Sequence, residues 1–170
     1  ADLLSKVDPN DVNGDGVSGR ANYVYDEILQ ELNIGRFGWK SEMPTVRQQV
    51  AGAFNGDIGI TTSMFPDHGC TDVQDSCLGA FEEPLPEIED RLLDRVVLYT
   101  SMLAVPARRY FQEDLVIEGE IVFRDLGCDS CHTPSYVTGD HEFAELSSQM
   151  IWPYTDLLLH DMGPELADRR

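Results

Sequence analysis

The sequence predicts a mainly α-helical fold with long loops and a small irregular or β N-terminal segment. Three observations carry this. Residues 87–103 place Ile88, Leu92, Val96, Tyr99 and Leu103 on one stripe, widened by Leu93 and Val97. That is the period of a helix with one buried face. Residues 113–126 repeat the pattern with Leu115, Val116, Ile121, Val122, Phe123 and Leu126. Residues 55–86 are instead rich in Gly, Pro, Asp and Ser and read as a long structured loop.

The elements follow in order. Residues 22–39 alternate poorly and suggest a short hairpin or irregular loop, ending in Gly35-Arg36-Phe37-Gly38-Trp39-Lys40. Pro44 can occupy the first position of a helix running to about Phe54 through Val46, Val50 and Ala53, with Asn55-Gly56-Asp57 as its stop. Acidic residues fill the first turn of the 87–103 helix, where they favour the macrodipole, and Pro106 stops it. Gly127 ends the 113–126 helix. Residues 135–142 form a polar loop, and 143–150 and 153–159 are short helix candidates. The expected organisation is an N-terminal segment, 1–86, packed on a second domain, 87–170.

The chemistry of the 87–170 domain is carried by Cys128-Asp129-Ser130-Cys131-His132. C-x-x-C-H is the attachment signature of c-type haem. Two cysteines three apart can each form a thioether to a vinyl group, and the following histidine is held as an axial iron ligand. A thioredoxin-like dithiol would need a β-α-β context that is not visible. A zinc site completed by Cys70 and Cys77 would need tighter spacing than those two offer. The pentapeptide therefore predicts one covalent haem c and a cytochrome c-like domain around it. The carbonyl of Pro134 is the expected acceptor for the second imidazole N–H.

A c-type haem is attached on the oxidising side of a membrane, so the chain is expected to be periplasmic or otherwise exported. The visible start, Ala1-Asp2-Leu3-Leu4-Ser5-Lys6, has no signal-peptide pattern, and no apolar run has membrane-spanning length. Cys70 and Cys77 remain as a pair, which in that compartment predicts a disulfide. The formal charge of −19, from 12 basic and 31 acidic side chains, argues against nucleic acid and anionic membranes. It suits a basic redox partner, such as a basic cytochrome or copper protein, or simply an acidic solubilising surface.

Asp11-Val12-Asn13-Gly14-Asp15-Gly16-Val17 matches the start of an EF-hand-type calcium loop. Asp11, Asn13 and Asp15 would supply side-chain oxygens and Val17 a carbonyl. Asn22 stands at the twelfth position, where a bidentate Glu is usual. The plainer alternative is an Asx and glycine turn without an ion.

A haem with one histidine takes a second protein ligand or keeps an open site. Met162 is the leading sixth-ligand candidate and His160 the alternative, both just after the apolar run Leu157-Leu158-Leu159. Either could instead be ordinary packing.

Several longer runs carry a resemblance. They are Asp15 to Arg20, Gly35 to Lys40, Gln48 to Asp57, Gly127 to Pro134, and Pro153-Tyr154-Thr155-Asp156-Leu157-Leu158-Leu159-His160-Asp161-Met162-Gly163. Together they resemble the thiol oxidoreductase-like di-haem oxidoreductases, which are similar to di-haem cytochrome c peroxidases and MauG-like enzymes. Such proteins carry two haem motifs, and this chain has one. The resemblance implies that Cys128, Cys131 and His132 hold the electron-transfer haem, with a second haem domain as partner. It also implies that Trp39 could contact both haems, although a core or interface aromatic is the plainer role. Electron transfer is thus the expected function. The alternatives are a peroxidase-like catalytic haem with an open or displaceable sixth ligand, and a calcium-stabilised non-redox binding module.

Overall fold

The computed structural model describes residues 3–79, 86–103 and 105–167. In chain order its strands and helices are β1 (Gly19–Arg20), β2 (Tyr23–Asp26), β3 (Glu31–Ile34), α1 (Val46–Ile58), α2 (Asp75–Leu78), α3 (Asp90–Ser101), α4 (Asp114–Asp125), β4 (Tyr136–Val137), β5 (Met150–Ile151) and β6 (Leu159–His160). Short 3-10 turns lie at Leu3–Lys6, Cys128–Ser130 and Ala144–Leu146. Contacts group these into two compact units: Ala1–Asn22 with Ala104–Arg170, and Tyr23–Leu103.

The mainly α, cytochrome c-like expectation is corrected here. Among the described residues, 32% are helical and 12% are in strands, with four α-helices. Two expected helices do not form. Residues 143–150 make a single 3-10 turn, then β5, which pairs antiparallel with β4. Residues 153–159 run extended into β6, which pairs antiparallel with β1. Pro153 opens that segment, and Tyr154 and Leu157 sit at φ of 52° and 59°, which no right-handed helix accommodates.

The Tyr23–Leu103 unit holds the apolar core. Val50 and Ala51 of α1 meet Leu93 of α3, with Val46, Phe54, Met64, Phe65, Val96 and Val97 around them. Arg47 ties the two helices by pairing with Asp90 and Asp94. Thr45 caps α1 by accepting the Gln48 N–H. The helix passes through Asn55-Gly56-Asp57 and ends at Gly59, whose φ of 69° is the left-handed stop. Asn55 does not break it, because its side chain donates to the Asp67 carbonyl (2.7 Å) instead of competing for the helix backbone.

The hairpin expected in 22–39 is β2–β3. Its turn is built on Asp26, a fully buried carboxylate accepting the N–H groups of Ile28 and Leu29 and the Asn33 amide. These bonds, led by that from Leu29, hold its pKa below the usual carboxylate value. Gln48 fastens the hairpin to α1, accepting from the Glu27 N–H and donating to the Tyr25 carbonyl. Cys70 and Cys77 are joined by a disulfide. Trp39 belongs to this unit and is fully exposed.

Candidate functional site

The candidate site lies in the other unit, where α4 delivers the chain to the cysteines. Asp114 in the first turn and Arg124 in the last complement the helix dipole, and Arg124 pairs with Glu120 one turn back (2.6 Å). Arg108 joins the same carboxylate (2.9 Å), and that hydrogen bond lowers the Glu120 pKa. Gly127, at φ 72°, turns the chain out of α4 and into the Cys128–Ser130 turn.

Apolar residues of α4 are left open rather than packed. No described residue of the helix is buried. Leu115, Val122 and Leu126 are 78%, 54% and 74% exposed, and their spacing puts them on one face. Gly119 falls on that face, and a Cβ there would meet nothing within 4 Å. The result is a flat apolar strip leading to the cysteines. Covering each aliphatic side chain would gain about 1.5–3 kcal/mol.

Cys128 and Cys131 are both free thiols and half-buried. Burial raises the Cys131 thiol pKa, and Asp156 and Asp15 add to the effect. Nδ1 of His132 lies 2.9 Å from the carbonyl oxygen of Tyr154, 22 residues on. The expected Pro134 carbonyl is therefore not the partner. A carbonyl can only accept, so Nδ1 carries the proton and the Nε2 lone pair is directed away from it. Phe123 of α4 packs edge-on to both His132 and Tyr154, at centroid distances of 6.4 and 5.6 Å. It fixes the imidazole and its acceptor against the same helix.

Asp156 comes next. Its main-chain N–H donates to the Cys131 carbonyl (3.0 Å). Its nearly buried carboxylate accepts the Leu158 N–H (2.9 Å) and lies 2.8 Å from His160 Nε2. His160 Nδ1 in turn faces the Ser18 carbonyl at 3.1 Å. Both nitrogens of His160 thus face acceptors, and in this arrangement neither offers iron a lone pair. Met162 lies two residues further and is 66% exposed. Sequence reasoning missed Tyr154, Asp156 and Phe123 as site residues. The one available signal was Asp156 itself, an acidic residue opening an apolar run four positions before His160.

The Asp11–Val17 loop closes on its own hydrogen bonds. Asp11 accepts the Gly16 N–H, Asn13 accepts from Asp15, and Asp15 accepts from Val17. Asp8, outside the expected ligand set, accepts from Val12 and Asn13, and these bonds lower its pKa. The loop borders a groove of about 640 Å³ that also reaches Asp129, Asp156 and His160. Among the described residues, no three His, Cys, Asp or Glu side chains gather where they could hold a metal ion. No described helix is long and apolar enough to cross a membrane.

Comparison with known proteins agrees with the motif. The family described as "Di-haem oxidoreductase, putative peroxidase" matches residues 1–170. No curated protein and no solved structure matches the chain. The match supports a redox role and haem as the cofactor in general. The chain, Cys128 to His132 included, belongs to the di-haem oxidoreductase family.

Proposed function

We propose that the chain binds one covalent c-type haem at Cys128 and Cys131, with His132 Nε2 as axial ligand, and that it transfers electrons. The observation that carries this is the Nδ1 contact with Tyr154, which selects the tautomer an iron-ligating histidine needs. The unpaired thiols and the open apolar strip of α4 support it, since a haem is a large apolar plane. Bound there, the haem would supply a one-electron couple. The chain's own residues orient the imidazole, present the thiols and offer an apolar surface.

The disulfide supports an exported, oxidising location. The charge of −19 supports a basic redox partner, and a single C-x-x-C-H in a di-haem family supports a second haem domain as the neighbour. The peroxidase-like reading keeps one specific observation in its favour: His160 is engaged elsewhere and Met162 is largely exposed. A sixth position filled by Met162 would therefore be displaceable.

The test is a pyridine haemochrome assay followed by EPR of the resting protein. One covalent haem with a low-spin His/Met spectrum is expected. Absence of covalent haem would refute the assignment, and a high-spin resting state would favour the catalytic reading.

A further inference from the structure

We infer that Asp156 is a positioning residue for His132, acting through the strained segment between Tyr154 and Leu158. This rests on the haem reading above for its consequence, but not for its geometry. The last two residues of the motif are gripped by one short stretch of chain. The Tyr154 carbonyl accepts from His132 Nδ1–H, and the Asp156 N–H donates to the Cys131 carbonyl.

That stretch is strained at two positions, and its own side chains, Thr155 accepting from Leu157 and Asp156 accepting from Leu158, bond its main chain locally. Tyr154 and Leu157 both adopt φ values that side-chain-bearing residues rarely accept. Such conformations persist only where the surroundings over-determine them. Asp156, between the two, supplies the restraint. One carboxylate oxygen accepts the Leu158 N–H and the other meets His160.

His160 is fixed in turn by the N-terminal segment. Its Nδ1 faces the Ser18 carbonyl, and β6 pairs with β1. Gly19 makes the approach possible, because a Cβ there would come within 2.8 Å of Leu158 Cδ1 and 3.3 Å of His160 Cε1. Asp8 closes the other side of Gly19 with two main-chain hydrogen bonds. Residues far from the motif in sequence thereby set the strength of the hydrogen bond on the axial imidazole. That bond tunes ligand basicity, and ligand basicity tunes the iron potential.

The test compares Asp156→Ala and Asp156→Asn in the full chain. Asparagine keeps an acceptor for the Leu158 N–H, and its amide can donate to His160 Nε2. Alanine keeps neither contact. In haem-loaded Asp156→Ala the midpoint potential should rise by a tenfold change in the oxidised-to-reduced ratio, ~59 mV for one electron. Asp156→Asn should stay within twofold of the wild type. An unchanged potential in Asp156→Ala overturns the proposal. So does an Asp156→Asn shift as large as that of alanine, which would make the effect one of charge.

Nitrogen-15 NMR of His132 reads the geometry without haem. The wild type should show the Nδ1–H tautomer and Asp156→Ala a mixture. An unchanged tautomer overturns the proposal even if no haem is attached, whereas an empty haemochrome assay refutes only the haem reading. Should Asp156→Ala not fold, Gly19→Ala pushes on the same segment from the other side. It should shift the tautomer in the same direction, and no shift overturns the inference.

Discussion

His132 Nδ1 donates to the carbonyl of Tyr154 at 2.9 Å, so the imidazole of the haem motif is oriented by a residue 22 positions away. Phe123 braces both partners from α4. Truncating this ring should loosen the pair without touching either thiol. Phe123→Ala is expected to cost about 1–3 kcal/mol, less than a fully buried Phe→Ala because the ring is half-buried. Urea melts of the haem-free protein would measure the cost, and broadened His132 ring signals should accompany it.

Met162 has little protein around it, so its replacement tests ligation more than packing. Met162→Ala should change stability by less than about 0.5 kcal/mol, as exposed substitutions do. It should also convert a low-spin spectrum to high-spin. A spectrum identical to the wild type would exclude Met162 as the sixth ligand.

Acid should weaken the Tyr23–Leu103 unit through Asp26. Its folded pKa is lowered, chiefly by the Leu29 N–H. The stability it contributes is therefore complete above the unfolded carboxylate value, about 3.9. It is lost as the pH falls below that value and through the lower folded one. Melts between pH 5 and pH 2.5 should show wild type losing more stability than Asp26→Asn, which has no such proton to gain. Equal slopes would remove Asp26 from the account.

The loop oxygens of Asp11, Asn13 and Asp15 already accept backbone N–H groups. Chelation with EDTA should accordingly leave the melting temperature within about 1 °C, a change of under about 0.5 kcal/mol for a chain of this size. A larger fall would place a stabilising calcium ion in this loop.

Reduction of the Cys70–Cys77 bridge should destabilise its unit by about 2–3 kcal/mol, the loop-closure effect for so short a ring. Denaturation with and without reductant, on a Cys128→Ser/Cys131→Ser background, would isolate that bridge.

The haem motif and the helices α3 and α4 were legible because covalent spacing and the helical period are local properties of sequence. The disulfide followed from elimination among four cysteines. The β2–β3 hairpin was half-legible, since its turn depends on Asp26 accepting three donors rather than on an Asn-Gly pair. The grip of Tyr154 and Asp156 on His132 and Cys131 was not legible. It works through a main-chain carbonyl and a main-chain N–H, which every residue but proline possesses. Its left-handed positions fall on Tyr154 and Leu157, types that give no sign of that conformation. Nor does the apolar run at 157–159 distinguish a short helix from an extended strand. Pairing with Gly19 and Arg20 decided it.

The β1–β6 pairing also imposes an order of events on synthesis. His160 and Ser18 meet across 142 residues, and long-range closures of this kind come late in folding. As the chain emerges, Cys128 to His132 is made some twenty residues before the segment that will grip it. The thiols are therefore reachable while the motif is still an open turn. Once Leu159 and His160 dock beside Gly19, the same turn is held at both Cys131 and His132, and the window for chemistry on it narrows.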